Sequence, residues 1–323
     1  MPTYTKMTAM GQYVPARVVT NDELAAIMDT NDEWIQAHTG IKTRHFAMNG
    51  ENTSDLATQV AQQLLDKSGV AASAIDLIIV STITPDALTP ATACLVQANI
   101  GATNAFAFDL SAACAGFTFG LATADKFIRS GQYQNVMVIS AEVNSKMMDF
   151  QDRTAAVFFG DGAGGALLQA TTDPQENSII AEKLQTQGNA TVIHSGRVQP
   201  ITKIAADNYP QTDAFYQAGR DVFQFATTVV PKQMQSVIAS ADLQPADLQY
   251  VICHQANLRI IEQIAVALEL PIAKFPHNVE KFGNTSSAGV AMALAEVFDT
   301  LDGTTLLTAF GGGLAYGSVL IKK

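Results

Sequence analysis

The chain has 323 residues, of which 48% are apolar and 15% are charged, and its formal net charge is −11 at pH 7. This composition excludes a disordered chain and is typical of a globular α/β protein with room for two similar domains. The acidic balance argues against non-specific nucleic-acid binding, and no apolar run reaches the roughly 18 residues that a membrane span needs. Because the N-terminus also lacks a signal pattern, we expect a cytoplasmic protein with no nucleic-acid or membrane partner.

The first part of the chain predicts helices that alternate with strands. Thr20 and Glu23 form a capping signature, and the continuous apolar run 75–81 is typical of a strand buried on both faces. In chain order the predicted elements are a strand over 5–14, a short helix ending at Met28, a helix over 54–68, the strand over 75–81, and a helix that starts at Thr89-Pro90 and carries Cys94.

Cys114 stands at a break between two predicted elements. A short apolar strand from Phe108 ends in small residues, and a helix then runs towards Ser130. A thiol in the first turn of a helix faces unpaired backbone N–H groups and the positive end of the helix dipole, which favour the nucleophilic thiolate. Considered alone, Cys114 also fits a small buried core residue.

The other two cysteines, Cys94 and Cys253, suggest no further chemistry. The three cysteines form no CxxC or Cys/His spacing, which indicates a reducing compartment, no disulfide framework and no metal site.

The middle of the chain predicts further strands and a long connection. We attribute the glycines of 159–168 to close approach of the backbone to other backbone or to a ligand, because no Lys-Ser/Thr follows to complete a phosphate loop. The remaining predictions are strands over 135–140 and within 159–168, a connector with short strands of its own over 170–219, in which Tyr209-Pro210 is one break, and a helix over 221–239.

The second half repeats landmarks of the first. Three pairs of segments match in the same order, namely 74–82 with 246–254, 113–122 with 286–295, and 159–162 with 310–313. We interpret this as a duplicated α/β unit with halves 1–170 and 171–323, whose equivalent loops meet at one site.

This duplication directs attention to His254 and Asn284. His254 ends a predicted buried strand, and Asn284 lies in the loop before the helix that is equivalent to the helix after Cys114. Both are expected to converge on Cys114, whereas strand alternation turns Cys253 to the opposite face. Considered alone, His254 also fits a packed core histidine and Asn284 a turn residue.

Four segments resemble the signature blocks of β-ketoacyl-acyl-carrier-protein synthase III, the initiating condensing enzyme of type II fatty-acid synthesis. They are Ser111 to Phe117, His254 to Arg259, Gly283 to Ser286, and Phe310 to Gly313. The resemblance covers essentially the whole chain. It implies an α/β thiolase-like fold of five layers, αβαβα, a homodimer, and a catalytic triad of Cys114, His254 and Asn284.

The resemblance also implies the reaction. Cys114 would take an acyl group from acyl-CoA, while the backbone N–H groups of Cys114 and Gly312 form the oxyanion hole. His254 and Asn284 would then stabilise the enolate formed when malonyl-acyl-carrier protein loses CO₂. No cofactor is implied, because the CoA thioester is itself a substrate, and no metal is implied.

Further positions are assigned by the same resemblance. Trp34 and Arg153 would hold the adenine of CoA between an aromatic and a guanidinium face. Thr30 and Asn257 would bind CoA as well, and Arg259 would serve carrier-protein docking. Without the resemblance, Trp34 equally fits a half-buried anchor.

The chain departs from the compared bacterial prototype at the docking face. His38 replaces an arginine, Gln224 replaces a lysine, and Val266-Ala267 replaces a basic pair. These replacements reduce the positive charge of the surface on which an acidic carrier protein would dock.

Three alternative functions would require different residues or a different acceptor. A degradative thiolase would carry a second cysteine near the last glycine loop, and 311–317 has none. A related condensing enzyme of secondary metabolism, with another acyl acceptor, stays open. A non-catalytic acyl-CoA or carrier-binding scaffold would be expected to have lost Cys114, His254 or Asn284, and all three are present.

Overall fold

Two β-sheets organise the structure, a computed structural model that describes residues 2–48, 50–195 and 216–323. The predicted break at Tyr209-Pro210 lies outside the described residues. The strands are β1 (Tyr4–Tyr13), β2 (Arg17–Thr20), β3 (Thr43–Phe46), β4 (Leu77–Ser81), β5 (Phe106–Leu110), β6 (Asn135–Glu142), β7 (Gly162–Thr171), β8 (Ile179–Asn189), β9 (Ile193–His194), β10 (Tyr216–Gln217), β11 (Tyr250–Cys253), β12 (Thr304–Gly311) and β13 (Gly313–Lys322). The α-helices are α1 (Asn21–Ala25), α2 (Asp32–Thr39), α3 (Thr53–Ser68), α4 (Thr92–Ile100), α5 (Gly116–Arg129), α6 (Gly219–Thr228), α7 (Val230–Ser240), α8 (Leu258–Ala267), α9 (Val279–Phe282) and α10 (Ala288–Val297).

The first sheet has the order β1-β7-β6-β4-β5 in the part of the chain that the structure describes. β4 runs parallel to both β5 and β6, and every residue of β4 is buried, as its continuous apolar run predicts. β5 is an edge strand of this sheet.

The second sheet has the corresponding order β8-β13-β12-β11. In each sheet the first strand of the half pairs antiparallel with the last one, β1 with β7 and β8 with β13. The connector expected over 170–219 therefore contains an 11-residue edge strand of the second sheet. The sequence did not reveal this strand because most of its side chains are polar and only partly buried.

Two buried helices, α5 and α10, lie between the sheets. Their apolar side chains form one cluster with residues of both sheets, including Phe117, Leu121, Val290 and Leu294. A second cluster packs α3 and α4 on the outer face of the first sheet, and a third packs α6, α7 and α8 on the outer face of the second. The result is the five-layered αβαβα arrangement expected for a thiolase-like fold.

Several local predictions are corrected. The Thr20 capping box is present, but α1 ends at Ala25 and not at Met28. α4 begins at Thr92, after Thr89-Pro90, and its first amides donate to the Asp109 carboxylate. The helix predicted over 221–239 is divided into α6 and α7. No helix in the described ranges is long and apolar enough to span a membrane.

The two halves meet through direct backbone contact at Asn284. Its N–H donates to the Phe158 carbonyl over 2.7 Å, and its carbonyl accepts from the Gly160 N–H over 3.1 Å. A Cβ on Gly160 would lie 2.2 Å from the Phe282 carbonyl oxygen, so only glycine fits. Close backbone approach is therefore the reason for a glycine at this position.

Beneath this contact lies a fully buried arginine, Arg44. Its guanidinium donates to the Asn21 side chain and to the Val157 carbonyl, and burial lowers its pKa to about 10. Its Cβ lies against Gly160 and Gly283. Arg44 thus supports, from the first half, the loop that presents Asn284.

Candidate active site

Cys114 lies in a single 3₁₀ turn, Ala113–Ala115, that leads directly into α5. Ala113 has φ of 47°, in the left-handed region that non-glycine residues rarely adopt, and such strain clusters at functional sites. Cys114 is 8% exposed and lines a cavity of about 800 Å³ together with Gly312. The strained turn therefore directs a buried thiol into a space large enough for a substrate.

The wall around Cys114 is built from backbone. A Cβ on Gly311 would lie 2.6 Å from the Cys114 nitrogen, and a Cβ on Gly116 would lie 1.7 Å from the Ser81 hydroxyl oxygen. Gly312 follows immediately and is next to Ala113. This close approach places the glycine turn of the second half beside Cys114. The expected oxyanion hole needs that arrangement, because it combines the backbone N–H groups of Cys114 and Gly312.

The protonation state of Cys114 differs from the sequence prediction. Burial raises the pKa of this thiol to about 12, and the Ser286 hydroxyl opposes that rise. Burial thus acts in the opposite direction to the start of α5, which favours the thiolate. With a pKa of about 12, the resting Cys114 thiol is neutral at pH 7.

His254 follows β11 and is 2% exposed. Its ring packs edge-on against Phe310, with centroids 5.1 Å apart, and Phe310 precedes the glycine turn that touches Cys114. Burial lowers the pKa of His254 to about 3, so the ring is neutral. Its Nδ1 has no hydrogen-bond partner among the described residues. A buried neutral imidazole with a free nitrogen can accept or donate a proton.

Cys253 and Cys94, the other two cysteines, lie apart from the turn that carries Cys114. Cys253 is 1% exposed and packs in the outer core of the second half, where burial raises the pKa of its thiol. Cys94 is partly exposed on α4, and its sulfur lies 3.7 Å from the Ala107 carbonyl.

Asn284 is oriented by its own loop. Its Oδ1 accepts from the backbone N–H of Ser286 over 2.8 Å, so its amide NH₂ is left as the donor. Asn284 and Asn257 line a second, smaller cavity of about 60 Å³. Ser286 links the Asn284 loop to Cys114, because its hydroxyl lies 3.3 Å from the Cys114 sulfur.

Trp34 and Arg153, the two positions assigned to the adenine of CoA, lie against each other. The guanidinium lies over the indole, 5.6 Å from its centroid, and donates to the Asp29 carbonyl. His38 also stacks on Trp34, with centroids 4.3 Å apart. At this distance guanidinium and indole are in direct cation–π contact, so a base must displace Arg153 to stack between them.

The other three assigned positions differ in their side-chain contacts. Thr30 follows Asp29, and its buried hydroxyl has no partner in the described ranges. Asn257 caps α8 by accepting from the Arg259 N–H, and its NH₂ donates to the His38 carbonyl. Arg259 pairs with Glu262 at 2.9 Å and remains partly exposed. Among the described residues no group of three or more His, Cys, Asp or Glu is placed to hold a metal ion.

Two family models match the chain. The model of 3-oxoacyl-[acyl-carrier-protein (ACP)] synthase III matches residues 108–188, and that of 3-oxoacyl-[acyl-carrier-protein (ACP)] synthase III C terminal matches residues 238–323.

Full-length relatives and solved structures agree. The chain is 87% identical over 323 residues, 100% of both chains, to beta-ketoacyl-[acyl-carrier-protein] synthase III 1 of Lactiplantibacillus plantarum. It is 48% identical to beta-ketoacyl-[acyl-carrier-protein] synthase III of Lactococcus lactis, with 99% of each chain covered. The crystal structure of 3-oxoacyl-[acyl-carrier-protein] synthase III from Aquifex aeolicus matches with a TM-score of 0.90 and 38% identity over 99% of this chain and 100% of that one. The priming beta-ketosynthase of the R1128 polyketide pathway matches with a TM-score of 0.90 and 32% identity over 99% and 97%.

The buried neutral state of His254 predicts a pH dependence of stability. An exposed histidine has a pKa near 6.5, so the unfolded chain binds a proton below that pH that the folded protein does not bind. The free energy of unfolding should therefore fall as the pH falls from 6.5 to 5, more steeply in the native protein than in His254→Asn, by up to about 1.4 kcal/mol per pH unit. Urea denaturation at several pH values measures both slopes. Equal slopes would show that residue 254 is solvated in the folded protein.

Proposed function

The chain belongs to the 3-oxoacyl-[acyl-carrier-protein] synthase III family, and we propose that it initiates fatty-acid synthesis. The reaction is the decarboxylative Claisen condensation of a short-chain acyl-CoA with malonyl-acyl-carrier protein, which gives 3-oxoacyl-acyl-carrier protein, CO₂ and CoA. Full-length similarity to a beta-ketoacyl-[acyl-carrier-protein] synthase III carries the reaction class. The geometry around Cys114 supports the role of each residue.

In the first half-reaction His254 takes the proton of the Cys114 thiol, and the sulfur attacks the thioester carbonyl of acyl-CoA. The backbone N–H groups of Cys114 and Gly312 hold the oxyanion. The bond from the carbonyl carbon to the CoA sulfur then breaks, and CoA leaves with the proton from His254. The acyl group remains on Cys114. The step needs no cofactor, because the thioester supplies the leaving group.

In the second half-reaction the malonyl carboxylate leaves as CO₂, and its electron pair forms an enolate. His254 and the Asn284 NH₂ donate hydrogen bonds to the enolate oxygen. The enolate carbon attacks the acyl carbonyl, the bond from that carbon to the Cys114 sulfur breaks, and the departing thiolate takes up a proton from solvent water. Neutral donors suffice because the negative charge exists only while the reaction proceeds.

Trp34 and Arg153 are proposed to bind the adenine of CoA, with Thr30 and Asn257 lower in the entrance. The support is the cation–π pair and the position of Asn257 beside Asn284 in one cavity. Arg259 is proposed to meet the acidic carrier protein, since its guanidinium remains partly exposed despite its pairing with Glu262.

A homodimer is proposed through the edge strand β5. Phe106 is 40% exposed there, and its ring packs with Phe108, Phe127 and Tyr133. An open edge strand with aromatic side chains favours pairing with another chain. We also propose a cytoplasmic location, because the three cysteines are free and suit a reducing compartment.

The half-reactions test the roles of His254 and Asn284. Asn284→Ala removes one donor to the enolate, so decarboxylation of malonyl-acyl-carrier protein should fall by about 10²–10³ while acyl transfer to Cys114 survives. His254→Ala removes both a donor and the base, so both half-reactions should fall. CO₂ release, and the mass gained by the protein on incubation with acetyl-CoA, measure the two steps.

Unchanged acyl transfer in His254→Ala would show that the helix start activates the thiol without a base. A native protein that gains no mass from acetyl-, isobutyryl- or octanoyl-CoA would overturn the condensing function in favour of a binding scaffold. Acylation followed by transfer to an acceptor other than malonyl-acyl-carrier protein would identify the secondary-metabolism alternative.

Trp34→Ala tests the CoA end of the site. Loss of stacking on a base costs about 1–3 kcal/mol, so the KM for acyl-CoA should rise at least about fivefold while the KM for malonyl-acyl-carrier protein stays unchanged. Steady-state kinetics with each substrate varied in turn give both values. If both KM values rise together, Trp34 is a structural anchor of α2.

Phe106→Lys tests the dimer. A charged side chain at the first residue of the β5 edge should prevent pairing, so light scattering should report a monomer where the native protein gives twice that mass. Ile272→Lys is the matched control, since Ile272 is 44% exposed but lies in the second half. A native protein that is monomeric, or a Phe106→Lys variant that stays dimeric, would contradict an interface at β5.

A further inference from the structure

The Ser286 hydroxyl lies 3.3 Å from the Cys114 sulfur, within hydrogen-bond distance for sulfur. Ser286 is fully buried. In the described part of the chain no other side chain hydrogen-bonds to this thiol, and the Ser286 hydroxyl has no other partner. In the resting protein the described side chains thus offer each of these two groups the other as its hydrogen-bond partner.

The backbone of Ser286 holds the hydroxyl in place in a strained conformation. Its φ is 51°, a conformation that non-glycine residues seldom adopt. Its N–H donates to Asn284 Oδ1 over 2.8 Å, and the next hydroxyl, that of Ser287, donates to the buried Glu142 carboxylate over 2.7 Å. The turn is therefore held on both sides, and the side chain between these contacts points at the sulfur.

The same turn occurs before α5. The repeat aligns Ser286 with Ala113, whose φ is 47°, so each half places one strained residue just before its central helix. In the first half this turn positions Cys114, and in the second half it positions a hydroxyl. Strain retained at both places indicates that both turns serve the site.

We propose that Ser286 is a further catalytic residue, whose hydroxyl donates a hydrogen bond to the Cys114 sulfur while that sulfur carries negative charge. This inference rests on the proposed role of Cys114 as nucleophile. In the resting thiol either atom donates, but once the proton has moved to His254 the sulfur can only accept. The bond therefore strengthens as charge develops, in acyl transfer and again when the sulfur leaves in the condensation.

A purely structural role of Ser286 can be tested apart from the proposed catalytic one, because the backbone N–H of Ser286, and not its side chain, orients Asn284. Ser286→Ala keeps that N–H and loses only the hydroxyl. Ser286→Gly also loses the hydroxyl and suits the left-handed backbone, so it covers the case in which the alanine variant folds poorly. Ser287→Ala is the matched control, since it removes an adjacent buried hydroxyl that bonds to Glu142 and not to sulfur.

The experiment follows alkylation of Cys114 by iodoacetamide between pH 7 and 9, by mass spectrometry of the peptide, in a Cys94→Ser background. In Ser286→Ala and Ser286→Gly the rate should fall about tenfold at each pH, which displaces the profile by about one pH unit to higher pH. Ser287→Ala should keep the native profile. Acyl transfer from acetyl-CoA should fall with the alkylation rate, and CO₂ release per acylated enzyme should not change.

A native alkylation profile in both Ser286 variants would overturn the proposal. So would an equal displacement in Ser287→Ala, which would assign the effect to disruption of the loop. Iodoacetamide requires neither CoA nor a carrier protein. Absence of acyl transfer in the native protein would therefore refute the condensing function while leaving the result on the thiol intact.

Discussion

Two turns, one before each central helix, meet at the sulfur of Cys114, and each contains one residue with left-handed backbone angles. The site depends on their meeting there. Ala113 and Ser286 each occupy a backbone conformation that costs about 1–3 kcal/mol. The cost is offset by the burial of α5 and α10 between two sheets, which fixes where both helices begin. A duplicated fold has thus become an asymmetric site, in which one copy supplies a thiol and the other supplies an amide and a hydroxyl.

The resting site carries little charge. Cys114 is a protonated thiol, His254 is a neutral ring and Asn284 presents an amide, so no unpaired ion is held away from water. Burying an isolated charge would cost far more than burying these neutral groups. Glu142 is also buried, which raises the pKa of its carboxyl, and hydroxyls such as that of Ser287 donate to it. In the proposed reaction, charge develops only transiently and next to donors that are already in position.

The sequence predicts most of the layered fold, because apolar periodicity reports burial directly, as in Leu77–Ser81. It does not predict the edge strand Ile179–Asn189, whose place depends on backbone pairing with β13 and not on an apolar face. At the site, the repeat and the family resemblance together single out the triad. They cannot give the protonation of Cys114, which depends on burial in three dimensions. From the sequence alone, Ser286 resembles an ordinary turn residue. Its importance is visible only when its alignment with Ala113 is combined with the positive φ that both residues have in the structure.

The glycines beside Cys114 also limit how this enzyme can diversify. Gly116 and Gly311 already touch neighbouring atoms, so any side chain there collides with the Ser81 hydroxyl or with the backbone of Cys114 itself. Variation that reshapes the cavity beside Cys114 must therefore come from its larger lining side chains, such as Leu88, Phe119 and Met147. A directed-evolution library aimed at the shape of this cavity belongs at those positions, which leaves the glycines intact.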